Sequence, residues 1–157
     1  MRIHTPRICF ALATVVTLTL AGCGSDHRLS KSEYEQKVRA EYADVQDAFR
    51  ATGAAFGQPG LAERIEQAQA QLREAADALA GAEAPEEVEK ENEEIAEGMR
   101  EYADDLDQLR DAAQKGDLRA IEGFNDRIAK NEAVEQIAEA AEEMKFKGYD
   151  LGQIAEE

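Results

Sequence analysis

The sequence predicts an all-α protein: an antiparallel up-and-down bundle of four helices, the last broken near Asn131 to give a short fifth. Three observations carry that expectation. Apolar residues recur every three or four positions through most of residues 30–157, the period of a helix with one buried face. Gly and Pro cut the pattern into segments, because Gly frees the backbone and Pro removes an amide donor. The connections between segments run from three to eight residues, a length that favours antiparallel neighbours.

Taken in order, Ser30-Lys31-Ser32-Glu33 fits a capping box that starts the first helix. Its buried stripe is expected to be Tyr34, Val38, Tyr42, Val45, Phe49 and Thr52. Gly53 and the run Gly57-Gln58-Pro59-Gly60 are expected to stop it. A second helix begins near Pro59 or Leu61, with Leu61, Ile65, Ala68, Leu72, Ala75, Ala76 and Leu79 facing inward. Gly81-Ala82-Glu83-Ala84 ends it, and Pro85 opens the third helix, where its missing N–H costs nothing. The third stripe is Val88, Ile95, Met99, Tyr102, Leu106, Leu109 and Ala113. Gly98 interrupts it at a cost of about 1 kcal/mol against Ala.

Lys115-Gly116 is a stop signal, and Asp117 is a suitable N-cap for a fourth helix. That helix carries Leu118, Ile121, Phe124 and Ile128. Beyond it the phase fails. At about 100° per residue, Val134, Ile137, Ala141 and Met144 fall nearly opposite Ile121 and Ile128. A break near Lys130-Asn131-Glu132 follows, with a short fifth helix from Ala133 to Lys147 ended by Gly148. Tyr149, Leu151 and Ile154 are expected to fold back on the bundle. About 25 large apolar side chains, each contributing roughly 1.5–3 kcal/mol when buried, make a substantial core.

The first 22 residues read differently. Arg2 and Arg7 precede an apolar run of 14 residues, Ile8 to Ala21, the pattern of a secretory leader. As a helix this run reaches only about 21 Å, short of the ~30 Å hydrocarbon core. At its end, Leu20-Ala21-Gly22-Cys23 resembles the lipobox of bacterial lipoproteins. The resemblance covers residues 1–24. It implies cleavage before Cys23, a diacylglyceryl group on the Cys23 thiol and acylation of the new amine. Gly24 stands where the family places Asp in lipoproteins retained at an inner membrane. Two or more acyl chains hold a protein to a bilayer stably. The expected organisation is a removed leader (1–22), a lipidated cysteine with a tether (23–29), and one helical domain (30–157). The body is also similar to small helical predicted lipoproteins of unknown function from high-GC bacteria. That similarity lies in Ala84-Pro85-Glu86-Glu87-Val88, in Lys115-Gly116-Asp117-Leu118, and in the ending from Ala141-Glu142-Glu143-Met144 to Leu151-Gly152.

Composition narrows the partners. Without the leader, 16 basic residues face 34 acidic ones. Nucleic acid is therefore not an expected partner, and neither is a basic contact to lipid headgroups. The body is expected to stand off an anionic surface on its tether. Cys9 leaves with the leader and Cys23 carries the lipid, so no thiol remains for a disulfide.

The residues point away from catalysis. His27 is the one histidine beyond the leader, and it lies in the tether. No Glu-x-x-His pair exists for a di-metal bundle. Asp104-Asp105-Leu106-Asp107 lacks the Gly turn and the terminal Glu of a Ca²⁺ loop. These acids, with Glu91, Glu93 and Glu94, are expected on a solvated face. Cys-x-x-Cys-His is absent, and Met99 and Met144 lie on apolar stripes as core residues. No catalytic, metal-ligating or cofactor-binding residue is expected, and no cofactor. The expected function is binding or scaffolding at the membrane. The alternative is a carrier of a small ligand or haem in the bundle core. The phase slip is expected to leave Phe124 or Phe146 partly exposed, and Phe56 to cap the end of the bundle.

Overall fold

The computed structural model describes residues 28–128 and 130–152. Leu20, Ala21, Gly22 and Cys23, with the rest of residues 1–27, lie outside the described residues, as does Ile154. The described chain is all-α and forms a helical bundle. Its helices are α1 (Lys31–Ala54), α2 (Leu61–Ala80), α3 (Glu89–Lys115), α4 (Leu118–Ile128) and α5 (Glu132–Phe146).

The starts and stops have local causes. Ser30 and Glu33 form the capping box of α1 in full. Gly53 does not stop α1, which continues to Ala54. The turn comes at Gly57 and Gly60, whose φ of 74° and 92° are left-handed values that glycine adopts without strain. Pro85 does not lead directly into α3. It is extended, and a 3₁₀ turn, Glu86–Val88, intervenes before the α-ladder begins at Glu89. Gly116, at φ 67°, ends α3, and the Asp117 carboxylate caps α4 by accepting from Ala120 N–H at 3.0 Å. Asn131 caps α5 by accepting from Val134 N–H.

Successive columns run antiparallel. Leu29 N–H donates to Glu83 O, so the start of α1 meets the end of α2. Arg73 and Arg100 pair with Asp104 and Asp77 across α2 and α3. Gln136 donates to Glu94 O, and Lys147 reaches Glu91, so α5 runs back along the first half of α3. α4 lies against the second half. Together α4 and α5 form the fourth column, broken at Asn131. The end holding Ser30, the 81–85 link and the last turn of α5 is the head. The end holding the 55–60 loop and Gly116 is the foot.

The α2 stripe is buried throughout. Two expectations are corrected. Leu118 is 65% exposed, because α4 starts at the foot and no element covers its first residue. Val134 is also exposed, whereas Ala133, Ala140, Ala141 and Met144 are buried. α5 turns its small residues toward α3 because Gly98 allows close approach there. A Cβ built on Gly98 would lie 2.7 Å from Ile137 Cγ1 and 3.0 Å from Ala133 O. Phe124 is buried and Phe146 is 95% exposed, so the phase slip frees the second ring and not the first. Tyr149 and Leu151 fold back and are buried.

Candidate functional site: an aromatic cleft at the foot

At the head, Tyr34 of α1 meets Met144 of α5. A cleft of about 170 Å³ remains between α1, α2, α3 and α4. Phe49, Phe56, Tyr102, Leu106, Phe124 and Ile128 are among its lining residues. The Phe49 and Tyr102 rings stack at 5.5 Å with an interplanar angle of 10°. The Arg127 guanidinium lies 5.7 Å from the Phe124 ring centre, within cation–π range. Phe56, expected to cap the end of the bundle, is 38% exposed and edges the cleft.

The cleft lining is poor in reactive groups. Thr52 is its polar wall, but its hydroxyl already donates to Ala48 O at 2.9 Å, with Arg64 O a further 3.1 Å contact. Burial, and then the Asp105 charge, push the Tyr102 phenol well above its ordinary range, so it stays neutral. The surface accordingly offers shape and apolar contact, with no positioned base for a nucleophile. Two larger hollows are open and mixed in character. One, about 560 Å³, runs along Ala51, Gly60 and Arg64; the other, about 370 Å³, lies at the break beside Asp105 and Asn131.

At the head, polar side chains are used structurally. Tyr34 donates to Asn92 Oδ1 at 2.9 Å, and Asn92 Nδ2 donates to Leu79 O at 3.0 Å. Lys147 Nζ donates to Glu87 O and to Glu91 Oε1, each at 2.7 Å. Tyr149 OH donates to Glu87 Oε1 at 2.7 Å. That bond is the main reason the Glu87 carboxyl sits below the ordinary range. Glu91, expected on a solvated face, is instead 3% exposed. It sits beside the Val88 stripe, where α5 covers it. Burial pushes its carboxyl up, but the Lys147 hydrogen bond, its own backbone N–H and the Lys147 charge together hold it below the ordinary value. Its Oε2 has no hydrogen-bond partner among the described residues.

The chain matches no family model, no curated protein and no solved structure.

Of the acids named from sequence, Asp104 pairs with Arg73, Asp105 accepts from Asn131 and Asp107 accepts from Gln69. Among the described residues, no group of three or more His, Cys, Asp or Glu side chains is placed to hold a metal ion. Met99 and Met144 are both buried in the core, and Tyr34 OH lies 3.8 Å from the Met144 sulfur. The cleft was missed in the sequence because its residues come from four separate stripes. Phe56 among glycines was the one local signal.

Proposed function

We propose that this protein is an extracytoplasmic lipoprotein, anchored in a membrane through lipid on Cys23, whose bundle binds or scaffolds a partner without catalysis. The sequence supports the anchor through the leader and Leu20-Ala21-Gly22-Cys23. The observation that carries the binding half is the aromatic cleft at the foot, the end opposite Arg28. A chain tethered by its N-terminal side would present that end outward. The occupant we favour is one large apolar side chain of a partner protein. A cavity of about 150 Å³ holds a benzene ring, so about 170 Å³ admits one aromatic or branched side chain. The second reading, a carrier of a small apolar molecule, is favoured by the same size. Haem is not: the cleft is smaller than the roughly 300–1,000 Å³ of sites that enclose larger ligands.

The test places a photo-crosslinking amino acid at Phe56 in the lipidated protein, in its own membrane. A discrete protein adduct, lost when the crosslinker is moved to exposed Val134, supports the binding reading. Equal labelling at both positions overturns it. Membrane fractionation tests the anchor separately, since Cys23→Ser should release the protein to the soluble fraction.

A further inference from the structure

The lipid anchor proposed above sets how far the bundle can stand from the bilayer, and the structure makes that distance short. Arg28 is fixed at the head: its guanidinium donates to Ala84 O at 2.8 Å and to Glu89 Oε2 at 3.0 Å. Leu29 N–H donates to Glu83 O at 2.8 Å. Only residues 24–27 separate Cys23 from Arg28. Five Cα–Cα steps of about 3.8 Å span at most about 19 Å. α1 alone, with 24 residues, is about 36 Å long. A diacylated Cys23 therefore keeps Arg28, and with it the head, within about 19 Å of the lipidated cysteine.

Phe146 lies at that same end. It is 95% exposed, more than any other large apolar side chain among the described residues. It ends α5 two residues before Gly148, whose carbonyl accepts from Lys31 Nζ at 2.6 Å. Lys147, its neighbour, reaches Glu87 O in the turn that follows Pro85. Lys31 is three residues from Arg28, so Phe146 and Arg28 both lie at the head.

We propose that the head rests on the bilayer, with the Phe146 ring seated in the membrane interface as a second contact beside the lipid on Cys23. This rests on the anchor reading and replaces the expectation that the body stands off the surface. An exposed aromatic ring suits the boundary between headgroups and acyl chains; the neighbouring Lys147 is held on Glu87 O and Glu91 Oε1, so the ring itself makes the contact. Glu83, Glu86, Glu87 and Glu89 share this end, so the contact is apolar and does not depend on anionic lipid.

The chain contains no Trp, so Phe146→Trp supplies a single emitter. The lipidated variant is reconstituted in phosphatidylcholine vesicles with and without bromine on the acyl chains. Emission should shift to the blue and be quenched by the brominated lipid. Leu118→Trp, exposed at the foot, should be neither shifted nor quenched. Quenching at 146 no greater than at 118 would overturn the proposal. Flotation with the vesicles separates the two readings. A protein that floats yet shows no quenching at 146 keeps its anchor and loses this contact. A protein that does not float loses both.

Discussion

At the scale of single residues, Gly98 shows how a local cost is offset by packing. Its place in the middle of α3 costs about 1 kcal/mol against Ala. The space its missing side chain leaves is taken by Ile137 and by the Ala133 carbonyl, 2.7 and 3.0 Å from where a Cβ would lie. The second of these is backbone and yields only if α5 moves. Gly98→Ala should therefore destabilise by about 1–3 kcal/mol in urea denaturation despite its better helix propensity. Gly53→Ala meets nothing within 4 Å and should stabilise by about 0.4–1 kcal/mol. Glu91 yields a pH prediction. Lys147 and Glu143 approach it from α5, Tyr34 interacts from α1, and Lys90 is its helical neighbour. Its folded carboxyl sits below the ordinary 4.5, so the unfolded chain takes the proton first. The stabilisation is complete above that value and is lost as pH falls through the lower folded one. The gap in stability between wild type and Glu91→Gln, about 1 kcal/mol near neutrality because Lys147 keeps some water, should close as the pH falls below the ordinary 4.5. Sequence reading missed the buried polar residues for a definable reason. Asn92 fills the gap between Val88 and Ile95 at helical spacing, and Gln69 follows Ile65 by four. Both continue an apolar stripe with a side chain that bonds a neighbouring backbone carbonyl, Leu79 O for Asn92 and Ala103 O for Gln69.

At the scale of elements, the break in the fourth column was legible because the apolar phase itself changes side after Ile128. What the phase could not reveal is how the break is held. Asn131 makes two bonds at once: its Oδ1 accepts from Val134 N–H at 3.1 Å and its Nδ2 donates to Asp105 Oδ2 at 2.7 Å. The first starts α5; the second pins the start to the middle of α3. Asn131→Ala removes both and should cost about 1–2 kcal/mol. Asn131→Asp keeps a capping acceptor but turns a carboxylate toward Asp105. If the pin matters as well as the cap, the Asp variant falls measurably below wild type, and the deficit shrinks in salt. Chemical denaturation of the three proteins at low and high ionic strength checks this. The rotation of α5 onto its alanines was not legible. Propensity and periodicity favour Val134 as the inward residue, and only the groove left by Gly98 on another helix reverses that choice.

At the scale of the whole molecule, order and direction of the columns followed from short links, while the cleft draws its lining from four helices at once. No single stripe encodes that arrangement. Charge works at this scale too. The chain has 34 acidic residues against 18 basic ones, and the bundle spends many cations as bridges: Arg73 to Asp104, Arg100 to Asp77, Arg110 to Asp107 and Lys147 to Glu91. The Arg73–Asp104 and Arg100–Asp77 pairs are largely exposed and contribute little individually. The surplus of carboxylates remains, spread over helices about 10 Å apart, comparable to the ~10 Å screening length at 0.1 M salt. Two effects then oppose each other when salt is added. Screening weakens the surface pairs, and it relieves the mutual repulsion of the excess acids. The pairs are short-range and already partly screened by water, whereas the repulsion sums over the whole surface. Relief should win, and Tm should rise between about 10 mM and 0.5 M NaCl, by roughly 4 °C for each kcal/mol of repulsion removed. Differential scanning calorimetry across that range decides it. A falling Tm would mean that the inter-helix bridges, and not the apolar stripes, set the stability of the bundle.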